Sequence, residues 1–134
     1  MKKILPTIAL VILGSHSPFS FSQGYPSDHP LVVQVAKRMS SLQIAKCRSV
    51  STTIAFVGLT LKNKQYEQIG NSTLEIFNAV SIAKHGSQAT ARTFEKNNSE
   101  FLKFDDEMSK KANVDSSVVR ENETCQRLLK EASS

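Results

Sequence analysis

The longest hydrophobic pattern in the chain lies in its first half and has helical spacing. A stripe that keeps one phase at about 3.6 residues per turn predicts a single long amphipathic helix over residues 31–61. Pro30 suits the first turn of such a helix, because the first N–H groups of a helix lack a partner within it. The serine and β-branched residues at 49–53 lower helix propensity, so a kink is expected there if the helix is not straight. The residues of the stripe are Val32, Ala36, Met39, Gln43, Cys47, Val50, Ile54, Val57 and Leu61.

Side chains outside this stripe give the first helix two further surfaces. Lys37, Arg48 and Lys62 fall together on the side opposite the stripe, which predicts a basic face. Phe56 and Leu59 also lie away from the stripe, so the C-terminal half of the helix is apolar nearly all round. Such a segment either runs through the middle of a bundle or carries a second contact surface. These five residues are our candidates for partner binding; a solvated basic face and ordinary core or dimer contacts are the alternatives.

Three shorter helices are predicted in the second half of the chain. Gly70 is a typical stop signal, and Ser72 with Glu75 matches a capping box that begins the second helix. Gly86 suits a C-terminal cap, so that Ser87 caps the third helix. Within the third helix, large apolar residues recur every seven positions, as they do along a bundle seam: Phe94, Phe101 and Met108.

The last helix is predicted to begin at Asp115 or Ser116 and to carry a cysteine on its buried face. The residues of that face are Val118, Asn122, Cys125, Leu129 and Ala132. No strand pattern competes with these helices. The sequence therefore predicts an all-α fold, a small antiparallel four-helix bundle with a long first helix.

Two cysteines occur in the sequence, and both lie on predicted buried faces. Cys47 belongs to the stripe of the first helix and Cys125 to that of the last. Oxidising compartments favour a disulfide between them, which would close a loop of roughly 80 residues and stabilise the fold by about 4–5 kcal/mol at most. An intermolecular disulfide or two free thiols are the alternatives.

The N-terminus has the pattern of a secretory signal peptide. Two lysines precede an apolar run at residues 4–13, which is far shorter than the roughly 20 residues of a membrane-spanning helix. Ser20 and Ser22 supply the small residues that signal peptidase needs. We expect residues 1–22 to be removed, leaving residues 23–134 as one domain in the periplasm or secreted. An uncleaved anchor helix is the alternative.

Charge and composition restrict the class of partner. The formal net charge is +5, and residues 23–64 hold six basic residues but one acidic residue. Tryptophan is absent and aromatic residues make up 7% of the chain, so few side chains could stack on bases. We therefore expect no nucleic-acid partner. An acidic protein surface, anionic lipid or an acidic wall polymer fits an exported basic chain better.

Motifs of the common enzyme classes are absent from the sequence. There is no H-E-x-x-H, no G-x-S-x-G and no glycine-rich phosphate loop. His85 lies in a last helical turn, where the helix dipole favours a cation. Haem ligation by Met39, Met108 and His85 is the weaker hypothesis. Methionine residues at helical spacing usually pack in the hydrophobic core. The three consecutive acidic residues at 105–107 could attract a divalent cation, but neighbouring side chains on a helix point in different directions and cannot all converge on one ion. We expect no enzyme activity, no metal and no cofactor.

These features predict a non-enzymatic exported protein that binds another protein. In layout the chain resembles small disulfide-linked helical proteins of the bacterial envelope, including immunity proteins that block wall-degrading toxins. The resemblance implies an inhibitor or immunity-type role with an envelope protein as partner and no stable membrane insertion. The alternatives are an accessory or structural component of a conjugation or secretion machine and a stress-response periplasmic protein. Self-association as a homodimer is also left open.

Overall fold

The computed structural model describes residues 25–92 and 116–134 of the chain. The predicted signal peptide at residues 1–22 lies outside the described residues. So do the predicted bundle seam of the third helix (Phe94, Phe101 and Met108) and the acidic residues at 105–107. The interpretation of residues 23–134 as one domain stays a prediction.

Helix is the regular secondary structure of the described residues, which contain no strand. The helices are α1 (Pro30–Arg38), α2 (Ser41–Thr60), α3 (Lys64–His85), α4, of which residues 87–92 are described, and α5 (Ser116–Ser133). The predicted all-α fold class is confirmed. The last helix begins at the predicted Ser116, and α4 begins at Ser87, one residue earlier than a cap at Ser87 would place it.

The prediction of a single long first helix is wrong, because the helix is interrupted at Met39 and Ser40. These two residues separate α1 from α2. Met39 has an extended backbone (ψ 141°), and Ser40 begins α2 with a capping box. The Ser40 hydroxyl accepts from the Gln43 N–H at 3.1 Å, while the Gln43 side chain accepts from the Ser40 N–H at 2.9 Å. The Lys84 ammonium donates to the carbonyls of Ala36 (2.8 Å) and Met39 (2.9 Å), which would otherwise end α1 unsatisfied.

The expected weak point at residues 49–53 is helical throughout. The Thr52 hydroxyl donates to the Arg48 carbonyl at 2.8 Å, and the Thr53 hydroxyl donates to the Ser49 carbonyl at 2.9 Å. These hydroxyls therefore bond back to the preceding turn and do not interrupt it. Packing of α2 outweighs the low helix propensity of this segment.

Gly70 does not end a helix, and this prediction is also wrong. Helix α3 begins after Asn63, whose side-chain oxygen accepts from the N–H groups of Gln65 (3.1 Å) and Tyr66 (3.2 Å). The helix continues through Gly70 and through the predicted capping box at Ser72 to His85. The observed N-cap, Asn63, lies about two and a half turns before the predicted cap at Ser72.

Two glycines bring α2 and α3 together backbone to backbone. A Cβ atom on Gly58 would lie 2.8 Å from the Glu67 Cα, and one on Gly70 would lie 2.7 Å from the Ala55 Cβ. Neither separation is compatible with van der Waals packing, so each position admits only hydrogen. Because Gly58 faces the start of α3 and Gly70 faces an earlier turn of α2, the two helices are antiparallel.

Helix α2 lies in the interior of the bundle and packs against both α3 and α5. Its buried residues occur on most sides, as the apolar C-terminal half had suggested. The core of the described residues comprises Val32, Val35, Ala36, Met39, Ile44, Cys47, Val50, Ile54, Val57, Tyr66, Ile69, Ile76, Phe77, Ala79, Val80, Cys125, Leu129 and Ala132.

The predicted disulfide is confirmed and joins α2 to α5. Cys47 and Cys125 are both buried, their Cα atoms are 5.5 Å apart, and they are 78 positions apart in sequence. The C-terminal end of α5 is also held against α1. The Arg38 guanidinium donates to the carbonyl oxygens of Ala132 (3.3 Å) and Ser134 (2.6 Å), and the Gln34 amide donates to the Ala132 carbonyl at 3.1 Å.

The Gly70→Ala variant tests the backbone contact between α2 and α3. Alanine within a helix normally stabilises it by about 0.5–1 kcal/mol relative to glycine. Here the added methyl overlaps Ala55, so we expect the free energy of unfolding to fall by about 1–3 kcal/mol in urea titrations. Gln68→Ala, at an exposed site on the same helix, is the matched control and should change it little. Equal or greater stability of Gly70→Ala would contradict the contact.

Removal of the disulfide should lower stability without changing the helical fold. We expect Cys47→Ser/Cys125→Ser to lose about 2–5 kcal/mol of unfolding free energy relative to the oxidised wild type, because the unfolded chain regains loop entropy. Urea titrations with and without reductant measure this. The wild type should approach the double variant when reduced, whereas the double variant should not respond to reductant. A wild type that is insensitive to complete reduction would refute the stabilising role.

The environment of Tyr66 predicts how the stability of the fold responds to substitution of this residue and to pH. Its hydroxyl is buried without a hydrogen-bond partner, and burial raises the pKa of the phenol above its ordinary value of 10.0. A raised pKa contributes stability that is present below about pH 10 and is lost as pH rises further, since the unfolded chain then ionises first.

We expect Tyr66→Phe to be neutral or to raise the unfolding free energy by about 1 kcal/mol at pH 7, because it removes an unsatisfied buried group. The variant should also lose less stability than the wild type between pH 9 and pH 11, measured by urea titration at each pH (a range set around the ordinary tyrosine pKa of about 10). Tyr25→Phe is the matched control, since the chain has two tyrosines. Parallel pH profiles for wild type and Tyr66→Phe would disprove the assignment.

Candidate functional site

Helix α2 presents large apolar side chains to solvent. In the described part of the chain, the exposed large hydrophobic residues are Leu42 (79% exposed), Phe56 (38%) and Leu59 (58%). Phe56 and Leu59 are three positions apart and therefore neighbours on the helix surface. Leu42 lies near the other end of α2 and was not among the sequence candidates, although its position outside the hydrophobic stripe is visible in the sequence.

The three predicted basic residues do not share one exposed face. Lys37 is exposed on α1, and Lys62 is exposed in the turn between α2 and α3, where its backbone has a φ of 56°. Arg48 is buried, with 3% of its surface exposed. Lys37 lies on α1 and Arg48 on α2, and the interruption at Met39 and Ser40 separates the two helices. A prediction that placed both residues on one face of a continuous helix was therefore wrong.

Lysines accompany the apolar pair at the end of α2. Lys62 follows Leu59 in the turn, with its N–H donating to the Leu59 carbonyl at 3.2 Å, and Lys64 begins α3. Both lysines are exposed. We call Phe56, Leu59, Lys62 and Lys64 the turn patch. Across the described residues the ion pair found is elsewhere, between Lys46 and Glu121 at 3.5 Å.

Arg48 connects three helices from inside the fold. Its Nε donates to the Asn78 side-chain oxygen on α3 at 2.8 Å, and its Nη2 donates to the Thr90 carbonyl on α4 at 3.1 Å. The hydroxyls of Ser81 and Thr90 are hydrogen-bonded at 2.9 Å beside it. Burial lowers the pKa of the guanidinium, which still carries its charge at neutral pH because an arginine pKa starts so high.

A cleft of about 240 Å³ opens next to this arginine. Arg48, Ser81, Ser41 and the exposed His85 provide its polar atoms, and small apolar side chains form the remaining wall: Ile44, Ala45 and Ala89. The cleft is therefore a small, largely apolar recess with a cation in its lining. No pattern in the sequence indicates this cleft, because its lining residues come from three helices that meet only in the folded chain.

A second cleft, of about 260 Å³, lies over the disulfide between α2 and α5. Gln43 and Leu128 contribute to its lining, and the Lys46–Glu121 ion pair spans the two helices there. The charges of that pair are already matched to each other, so this cleft offers no uncompensated group to a ligand.

The weaker haem interpretation finds no support in the described residues. Met39 is buried in the core at the break between α1 and α2, whereas His85 is exposed at the end of α3; Met108 lies outside the described residues. Over residues 25–92 and 116–134, no group of three or more histidine, cysteine, aspartate or glutamate side chains is arranged to hold a metal ion.

None of the helices within the described ranges combines the length and apolar character needed to cross a bilayer. Comparison with known proteins returned no matching family model, no matching curated protein and no matching solved structure. The geometry of the turn patch and of the arginine cleft is therefore the basis on which a function can be argued.

Proposed function

We propose that this chain is an exported, non-enzymatic protein that binds another protein of the bacterial envelope through the turn patch. The observation that carries the proposal is the exposure of Phe56 and Leu59, 38% and 58%, next to two exposed lysines. Adjacent apolar side chains rimmed by charge are typical of interaction sites. Lysines at the rim favour a partner surface with acidic residues around an apolar centre, because opposite charges steer the encounter.

The contacts that hold helix α2 in place beneath the turn patch support a binding role. Gly58 lies between Phe56 and Leu59 in sequence and is locked against α3, so the backbone that carries the patch is held on its inner side. The disulfide fixes the same helix to α5. A preorganised surface loses little conformational entropy when it binds, which favours affinity for a given contact area.

Export is part of the proposal and has two supports. The sequence begins with a pattern typical of a signal peptide, and the buried Cys47–Cys125 disulfide suits an oxidising compartment. The periplasm is the compartment that we propose. An inhibitor of an exported enzyme, of the kind that the layout of the sequence resembles, is the partner relationship that a small rigid binding domain would serve.

Leu59→Asp tests the turn patch. The mature chain, immobilised, is first used to isolate a partner from periplasmic extract, and calorimetry with the purified partner then compares variants. We expect Leu59→Asp to weaken binding at least tenfold, since loss of a hot-spot contact at the centre of an interface costs about 2 kcal/mol or more. Phe56→Asp should abolish binding while the protein stays soluble and helical by circular dichroism.

Leu42→Asp is the matched control, because it places the same charge on the same helix about 25 Å away. It should bind like the wild type. Equal weakening by Leu42→Asp and Leu59→Asp would show that the turn patch is not the site. If Phe56→Asp unfolds the chain, Phe56 belongs to the core and Leu59→Asp decides the matter.

A further inference from the structure

The cleft over the disulfide combines apolar walls with one charge of each sign. Its volume is about 260 Å³, and the buried disulfide sulfurs of Cys47 and Cys125 line it together with Leu128. An apolar cavity of roughly 150 Å³ already holds a molecule the size of benzene. The cleft is therefore large enough to receive an aliphatic side chain.

An exposed aliphatic side chain lies next to this cleft on the same surface. Leu42 is the most exposed large hydrophobic residue of the described part of the chain, with 79% of its surface accessible. It precedes Gln43 directly and Lys46 by one helical turn, and both of these residues line the cleft. Leu42 is the second residue of α2, where acidic side chains suit the helix dipole, so the cap of the helix does not account for a leucine there.

A projecting side chain beside a recess that fits it makes a surface complementary to its own copy. When two copies are related by a two-fold axis, the projecting group of each one meets the recess of the other. The charges obey the same symmetry. Lys46 and Glu121 form an ion pair of 3.5 Å across the cleft, and both side chains are accessible to solvent. A two-fold rotation brings each lysine opposite the glutamate of the other copy, whereas a surface of a single sign would be repelled by one of the two residues.

We propose that the chain forms a two-fold symmetric dimer through this cleft. Leu42 of each copy enters the cleft of the other, and Lys46 of each copy pairs with Glu121 of the other. Specific, stable interfaces bury roughly 1,200–2,000 Å² in total, and contacts around one cleft fall short of that, so the dimer is weak. This inference goes beyond the proposed function: it uses a surface outside the turn patch, and its test needs no partner protein.

The experiment is analytical ultracentrifugation of oxidised residues 23–134 at concentrations from about 0.05 to about 2 mM. We expect a reversible monomer–dimer equilibrium with a Kd on the order of 1 mM. Leu42→Asp should stay monomeric throughout this range, because it would bring a charge into an apolar cleft. An acidic residue in the first turn of α2 suits the helix dipole, so this variant should keep the circular dichroism of the wild type. Leu59→Asp is the matched control, since it places the same charge on the same helix about 25 Å away, and it should dimerise like the wild type.

Two charge variants test whether the ion pairs form between copies. Lys46→Glu alone, and Glu121→Lys alone, would bring like charges together across the interface, so each variant should stay monomeric. In an equimolar mixture of the two, opposite charges face each other at both places. The mixture should therefore dimerise with a Kd within about threefold of that of the wild type. The ion pair inside each copy is lost in the mixture as well, so only a contact between copies explains the recovery.

Lys37→Glu and Glu75→Lys form the matched control pair, because they change the net charge by the same amounts at exposed sites on α1 and α3. Each should dimerise like the wild type, and mixing them should bring no gain.

Three results would overturn the proposal. The first is a wild type that stays monomeric up to the highest concentration, which would leave the cleft to some other occupant. The second is a dimer that Leu42→Asp forms as readily as the wild type does. The third is a mixture of Lys46→Glu and Glu121→Lys that dimerises no better than either variant alone.

Discussion

The described helices are arranged around a contact between two backbones, those of α2 and α3. Gly58 and Gly70 let α2 and α3 approach until no Cβ fits at either position. Two helices this close share one rigid body, since neither can rotate without a clash. The contact is specific as well as tight, because the two glycines face each other's helices a few turns apart and so fix both register and direction. Helix α5 is then attached to α2 by the disulfide and to α1 by Arg38 and Gln34.

The same contact explains where polar groups are found. Toward the N-terminal end of α2, the residues that face α3 are larger and include Ile44 and Arg48. A guanidinium there needs acceptors in a space that water scarcely reaches, and Asn78 and Thr90 supply them. The cost of burying a charge is large unless hydrogen bonds offset it. Arg48 therefore ties α4 to the α2–α3 pair, and the recess beside it is the space that remains where three helices meet around one long side chain.

The sequence was informative wherever a residue type had one structural use. The two cysteines on apolar faces were readable because, in an exported chain, a buried pair of this kind most commonly forms a disulfide. Gly70 was not, because glycine serves equally to end a helix and to admit a neighbouring backbone, and the partner Ala55 that decides between these uses is 15 positions away in sequence. Ser40 was not recognised as a helix cap because the helical spacing of apolar residues continues from α1 into α2 without a visible interruption. Arg48 looked like a surface residue because two groups that accept its hydrogen bonds, the Asn78 side chain and the Thr90 carbonyl, are 30 and 42 positions away in sequence.

The turn patch and the arginine cleft lie on one flank of α2. Ser41, Ala45 and Arg48 at the cleft and Thr52, Phe56 and Leu59 beyond it follow one another at spacings of three or four residues, as neighbours along a helix surface do. With a rise of about 1.5 Å per residue, Arg48 and Phe56 are about 12 Å apart along the axis. A single protein surface can span that distance. A partner seated on Phe56 and Leu59 would then lie close to this recess, and because one side of α2 carries both, one partner surface could contact both without a change in the fold.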